Sequence, residues 1–251
     1  MRNIVWFRRD LRIGDHPALV AAMENSDEIV PVFILDKQQI AEAGSKLLAY
    51  MSNSLRALDE SLGNRLHIIE GDQVEVLKEL IALYDVKEVH ISTEYERYGA
   101  ERDARVEAAG IPLVRTGSPY AVAPGRVVKP SDATPYRVYT PFYNEWAKND
   151  FGRSTTAPSL ENVLAPVETS FDPQLEFGAD IKAGESFAFR TLERFLDGRV
   201  DGYQDDRNRA DLGGTSHLSH ALSHGEIHPR TILERLEPGE IGRASCRERV
   251  S

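Results

Sequence analysis

Apolar runs of four to eight residues alternate along the first 115 positions with longer stretches in which apolar residues recur every three or four places. Asn3 to Phe7 is the first run and predicts a strand; Arg8 to Arg12 reads as a loop. Asp15-His16-Pro17 then starts a helix, with a cap and an early proline whose missing N–H costs nothing there. The pattern repeats with a strand over Glu28 to Leu35 and an amphipathic helix over Ser45 to Leu62, closed by Gly63. Leu66 to Glu70 follows as a strand, Gln73 to Tyr84 as a helix and Glu88 to Ser92 as a strand. Glu96 to Ala109 is a helix closed by Gly110, and Pro112 to Arg115 is the last strand. Five strands thus alternate with four helices. Nearly unbroken apolar strands joined by helices imply right-handed crossovers and a doubly wound parallel sheet of the α/β class, covered on both faces.

Ligands of such sheets sit beyond the carboxyl ends of the strands. No G-x-G-x-x-G follows the first strand, where Arg8-Arg9-Asp10 stands instead, and no G-K-[ST] occurs. A dinucleotide on this sheet in the usual manner is therefore not expected, and a P-loop is excluded. Trp6 to Arg12 is either a basic contact patch or a loop whose arginines pair with Asp10 and Asp15, and the charge spacing favours the loop. At the same sheet edge, Thr93-Glu94-Tyr95-Glu96-Arg97-Tyr98 ends the fourth strand and opens a helix. Its carboxylates are either first-turn charges favoured by the helix dipole or ligand contacts.

From Asn149 to about Ala183 the chain is polar, rich in Pro, Ser, Thr, Glu and Asp and without a period, which reads as a long connection. Glu185 to Leu196 predicts a helix whose apolar positions are Phe187, Phe189, Leu192, Phe195 and Leu196; His228 to Leu236 predicts another. Between them, Gly202 to Arg230 is the most densely patterned stretch. Gly213 and Gly214 precede Thr215 and Ser216, good N-cap residues for a helix over His217 to Ser223. On that helix Ser219 would share a face with Thr215 and Ser216, beside the apolar Leu218 and Leu222. Unpaired N–H groups and three hydroxyls would make a phosphate cradle with an apolar edge, although hydroxyls at a helix start also serve simply as caps. His217, His220 and His224 recur at spacings that can gather imidazoles on one metal, or else form a solvated face. No cysteine or carboxylate within that helix completes a ligand set, so no metal is expected.

Of the 251 residues 41% are hydrophobic and 28% charged, ordinary values for one or two globular domains. The net charge of −10 argues against a strongly basic nucleic-acid wrapper. The first strand runs directly into charge, so the N-terminus predicts neither a signal peptide nor a membrane span, and no later run is long and apolar enough to span. Cys246 is the only cysteine, which excludes an internal disulfide and points to a cytoplasmic protein.

Three strings resemble a known family. Trp6-Phe7-Arg8-Arg9-Asp10-Leu11-Arg12 is similar to the amino-terminal signature of the DNA photolyase and cryptochrome family. Pro135-Tyr136-Arg137-Val138-Tyr139-Thr140-Pro141-Phe142 is similar to its Pro-Tyr-x-Val-Phe-Thr-Pro-Phe segment. Tyr203, Arg207-Asn208, Asp211-Leu212, Gly214-Thr215-Ser216 with Leu218-Ser219, Gly225-Glu226-Ile227 and Pro229-Arg230 resemble the opening of its flavin-binding domain. The three stand in the family's order and cover residues 2 to about 237. Two positions depart: Ala210 replaces a proline usual after the arginine, and His220 stands where Leu-Ser-Pro would continue.

The resemblance implies a class I-like photolyase layout: an α/β antenna domain over 1–130, a connection over 131–183, the first helices of an all-α FAD-binding domain over 184–239, and a non-native tail over 240–251. It implies that Tyr203, Thr215, Ser216, Leu218 and Ser219 contact FAD. It also implies an antenna chromophore, methenyltetrahydrofolate, 8-hydroxy-deazaflavin or a second flavin, with Glu94 and Glu96 as its candidate contacts. The implied activity is light-driven repair of cyclobutane pyrimidine dimers in UV-damaged DNA by a monomer, with the redox chemistry done by the flavin and no protein acid, base or nucleophile required. A cryptochrome-type photoreceptor, or an α/β chromophore-binding module without catalysis, are the alternatives. The chain stops where a photolyase continues, so the remaining flavin contacts, the electron-feeding tryptophans and the lesion pocket are expected elsewhere. This chain alone is expected not to repair DNA.

Overall fold

The computed structural model describes residues 1–166, 181–209 and 211–236. The tail over 240–251, Ala210 and residues 167–180 of the expected connection lie outside the described residues. In chain order the elements are β1 (Arg2–Phe7), α1 (Pro17–Glu24), β2 (Glu28–Leu35), α2 (Lys37–Glu42), α3 (Ser45–Ser61), β3 (His67–Glu70), α4 (Gln73–Tyr84), β4 (Val86–Ile91), α5 (Arg97–Ala108) and β5 (Leu113–Arg115). The second half contributes α6 (Tyr139–Trp146), α7 (Glu185–Leu196), α8 (Tyr203–Asp206), α9 (Ser219–His224) and α10 (Pro229–Leu233).

The strands form one parallel sheet in the order β3-β2-β1-β4-β5, the expected α/β architecture. Strand alternation sorts the side chains. Ile4 and Trp6 of β1 pack with Val30, Val32, Leu77, Val89 and Ile91 on one face, while Val5 and Phe7 pack with Leu19, Leu55 and Ile68 on the other. Pro31 lies inside β2, yet β3 begins pairing only opposite Val32, so the missing N–H of Pro31 costs that edge no ladder bond. Next to it, Ile29 donates to Asn162 O at 3.0 Å and accepts from Leu164 N at 2.9 Å, so the returning chain covers the start of β2.

The helix starts follow local chemistry. His16 caps α1 by accepting the Leu19 N–H at 3.0 Å, and Pro17 takes the first position. Asp72 caps α4 by accepting from Val74 N at 2.9 Å. Three helices escape the sequence pattern: α2, which is short and polar, α6, which lies in the stretch assigned to the connection, and the four-residue α8. Pro141 sits in the first turn of α6, where a helix tolerates proline.

A third core joins the chain's second half. Trp146 of α6, Leu192 and Phe195 of α7, Tyr203 of α8, Leu218, Leu222, Ile227 and Ile232 are buried together. Tyr136, Phe142 and Tyr143 pack on it from the side, so residues around α6 belong to this helical core and not to the sheet.

Candidate functional site

Tyr203 is buried on α8, its ring edge-on to Phe195 at 5.8 Å between centroids. The chain then folds back over α8 at Gly214. A Cβ there would come within 2.5 Å of Asp206 Cβ and 2.8 Å of Asp206 O, so the close approach requires glycine. Thr215 follows half-buried and Ser216 buried. His217 takes a left-handed conformation, φ 53°, which interrupts any helical path from Thr215. The helix therefore begins at Ser219, with Leu218 as N-cap and no side-chain cap hydrogen bond. This corrects the expected helix over His217 to Ser223: Thr215 and Ser216 do not cap it, and the three hydroxyls do not share one helical face. Ser219 is exposed in the first turn and Leu218 is buried in the helical core.

The histidines of this stretch face a different partner. Tyr50 of α3 packs its ring against His220 at 5.1 Å and His224 at 4.7 Å. His224 donates from Nδ1 to His220 O at 3.0 Å, and burial holds its pKa below the ordinary histidine value. Among the described residues, no three His, Cys, Asp or Glu side chains gather where a metal ion could sit.

The segment is bolted to the sheet domain by buried polar contacts. Glu226, fully buried, accepts from the Tyr50 hydroxyl at 2.7 Å, from Gly184 N at 2.7 Å and from the Ser54 hydroxyl. Burial and the facing carboxylate push the Tyr50 pKa well above the ordinary phenol value. Arg12 donates to Gly225 O at 2.9 Å and to Asp15 O at 2.8 Å, and Leu11 N donates to His224 O at 3.1 Å. Gly225, φ 71°, lies so close to the Arg9 carbonyl that a Cβ would overlap it. Glu185, opening α7, accepts from Ile13 N and Gly14 N at 3.0 Å each.

Asp15 is the second anchor. It binds Arg230 and Thr231 Oγ1, and accepts the Thr155 N–H at 3.0 Å. Burial alone would raise its pKa, but the Arg230 hydrogen bonds and the other donors outweigh it and hold the carboxyl below its usual range. His228 beside it donates from Nε2 to Ser118 O at 2.9 Å and accepts from Arg230 N at 3.1 Å, the pattern of a neutral ring. Burial first, then the charges of Arg12 and Arg230, push its pKa down to about 3.

The sheet's switch point, between the ends of β1 and β4, is where ligands of doubly wound folds bind. Here a buried polar cluster fills it. Arg8 donates to Asp103 Oδ1 at 3.3 Å and to Ser92 O, and lies 3.5 Å from Glu94. Arg102 lies 3.3 Å from the same Glu94 oxygen, and both guanidinium groups sit about 5 Å from the Trp6 ring centre. Asp10 accepts the Arg8 N–H at 2.8 Å and the Ser92 hydroxyl, and stands 3.2 Å from His16 Nε2. Burial pushes the Asp10 carboxyl up, but His16 and Arg8 outweigh it and hold it far below the usual range. The arginines of the first loop thus bind carbonyls and the carboxylates of Asp103, Glu94 and Glu96 rather than the side chains of Asp10 and Asp15.

The two candidate antenna residues part company at this edge. Glu94 is walled in by Arg8 and Arg102, with 8% of its side chain exposed. Glu96, 59% exposed, pairs with Arg9 on the surface. Nearby, Tyr98 donates to Asp36 at 2.6 Å, and its pKa is pushed up to about 12 by burial and by that carboxylate. Sequence reasoning singled out neither Glu226 nor Asp15 as an anchor. The only available signal was a carboxylate placed among turn glycines and apolar neighbours.

The family described as DNA photolyase matches residues 3–161. The deoxyribodipyrimidine photo-lyase of Synechococcus sp. is 30% identical over 248 residues, covering 89% of this chain and 51% of that protein. The deoxyribodipyrimidine photo-lyase of Agrobacterium fabrum is 32% identical over 251 residues, covering 91% of this chain and 52% of that protein. Among solved structures, a bacterial class III photolyase from Agrobacterium tumefaciens superposes with a TM-score of 0.82 at 27% identity, over 96% of this chain and 55% of the other. The chain therefore spans about half the length of these three relatives. Among the described residues no helix is long and apolar enough to cross a membrane.

Proposed function

The chain belongs to the DNA photolyase family, whose members bind flavin and act on UV-damaged DNA, and on that premise we propose that it forms the antenna domain and the first flavin contacts of a photolyase that repairs cyclobutane pyrimidine dimers in light. We place the protein in the cytoplasm as a monomer, with the lesion-holding contacts outside these 251 residues. When bound, reduced FAD supplies the electron that opens the cyclobutane ring.

The donor set fits a flavin's pyrophosphate in its chemistry. Thr215 and Ser219 offer hydroxyls on either side of the buried Ser216, and the first turn of α9 leaves N–H groups without helical acceptors. Tyr203 and Leu218 hold the segment by burial in the helical core, which leaves Thr215 and the exposed Ser219 to reach outward. The observation that carries the reading is the seating of this segment. Its core side, Tyr203 and Leu218, is packed, while its far end at Gly225 and Glu226 is fixed to the sheet domain. A segment held at both ends is preorganised, so little ordering entropy is lost on binding.

At the sheet edge we assign the antenna contact to the exposed Glu96, with Glu94 fixing the loop beneath it through Arg8 and Arg102. The antenna is a folate, a deazaflavin or a second flavin.

The test is the absorption spectrum of the gently purified protein, with the chromophore released by denaturation and identified by mass. FAD in near one-to-one amount, lost in Thr215→Ala/Ser219→Ala, supports the flavin assignment. A colourless protein that also fails to take up added FAD sinks it. Blue-light repair of dimer-containing oligonucleotides by a longer polypeptide carrying this chain separates a photolyase from a cryptochrome.

A further inference from the structure

A cleft of about 500 Å3 opens between the first turn of α3, Ile181 and Lys182, α7 and the start of α9. That volume is the size of a small-molecule site. Leu47, Phe187, Ala188 and Leu218 give it an apolar floor, and Tyr50 adds a second aromatic ring to the lining. Lys46, Lys182, His217 and His220 line it as well, and among the described residues that line it there is no carboxylate, although the chain as a whole carries a net charge of −10. Against that acidic background the concentration of nitrogen donors selects for an anion. The rings select for a planar partner.

The walls are also fixed. Tyr50 of α3 and Gly184, in the loop ahead of α7, both donate to Glu226 just beyond α9, so three sides of the cleft converge on one buried carboxylate. His217 holds a backbone conformation sparsely populated for a non-glycine residue, φ 53°, a kind of local strain that recurs at binding sites. Of the five residues assigned to the flavin, only Leu218 lines this cleft; Tyr203, Thr215, Ser216 and Ser219 do not.

We propose that this cleft is a second ligand site, separate from the flavin segment, for a planar heteroaromatic ring bearing a phosphate, the chemical class of a nucleoside monophosphate. The ring lies against Phe187 and Tyr50. Lys46, Lys182 and the imidazoles of His217 and His220 take the phosphate.

Titration of the 251-residue protein with the fluorescent analogue mant-AMP tests this, with AMP and inorganic phosphate as competitors. The expected result is saturable binding displaced by AMP, weakened about tenfold or more in Lys46→Glu/Lys182→Glu. Both lysines are exposed, so the reversed protein should melt like the parent. Imidazole NMR signals of His217 and His220 should shift when AMP is added, an independent readout that needs no variant. Absence of saturable binding, or equal affinity in the charge-reversed protein, overturns the proposal. So does loss of mant-AMP binding in Thr215→Ala/Ser219→Ala together with displacement by FAD, which would merge the cleft with the flavin site and leave the flavin reading standing. Binding of mant-AMP by a protein that takes up no FAD would sink the flavin reading alone.

Discussion

Glu226 and Tyr50 meet at 2.7 Å although 176 positions separate them, and the carboxylate is fully buried. The carboxylate accepts from three donors, so both its oxygens are used. Replacing it by glutamine keeps the shape but turns one acceptor into a donor that faces other donors. Glu226→Gln should lower stability by about 1–3 kcal/mol, and Tyr50→Phe, which takes the donor from one oxygen of a buried carboxylate, by a similar amount, about 1–3 kcal/mol. Urea unfolding of both variants checks the values, and a loss well under about 1 kcal/mol in either would contradict them.

Two glycines with positive φ give a matched comparison. Gly225→Ala places a methyl into the Arg9 carbonyl, while Gly198, φ 96°, has open space around it. Gly198→Ala should cost about 1–2 kcal/mol, the conformational penalty alone. Gly225→Ala should cost clearly more, and limited proteolysis should then cut between the sheet domain and the helices.

Acid should loosen the same junction. His228 is held neutral with a pKa of about 3, against 6.5 for an unperturbed ring, so between those values the unfolded chain binds a proton that the folded chain refuses. Stability therefore falls as pH drops from about 6.5 toward 3, by several kcal/mol in total from this group. His67, pushed down to about 4 by burial, acts in the same direction. The depressed Asp15 carboxyl adds a loss at lower pH, below its unfolded value and down through its folded one. Thermal melts from pH 7 to pH 4 should show a steep decline that is shallower in His228→Asn; a flat profile would contradict the assignment.

The two carboxylates of the sheet edge should separate cleanly under mutation. Glu94→Ala leaves Arg8 and Arg102 buried with only Asp103 between them, and should destabilise by about 3–5 kcal/mol. Glu96→Ala removes an exposed pair and should change stability by less than about 0.5 kcal/mol while lowering antenna content. Melting temperature and chromophore yield, measured on the same preparations, distinguish the two roles.

The sheet was legible in the sequence because its strands are short apolar runs bounded by turn residues, and strand burial leaves that mark in every register. The helix α2 was not, since Lys37 to Glu42 carries no apolar stripe, and Pro135 and Pro141 masked α6 although the first turn of a helix accepts proline. The string around Thr215 was recognisable, but its local geometry was misread. Whether a histidine adopts positive φ is decided by the tertiary path of the chain, which no local propensity encodes. Glu226 and Asp15 were invisible as anchors for a related reason. Their partners lie 42 to 216 positions away, and a lone carboxylate has no period to betray it.

The bond from Arg12 to the Gly225 carbonyl spans 213 positions, and it has a consequence for how the protein is made. A ribosome adding about 5–20 residues per second needs about 10–40 s between the two ends of that contact. The five strands are all synthesised well before α9 emerges, so the sheet can assemble while Arg12 and Asp15 still face water. Their dehydration has to wait for the last helices. The loop after β1 is thus an open seam on the nascent chain, the place where a chaperone would find a half-made molecule and where a stalled or truncated product would be recognised and destroyed.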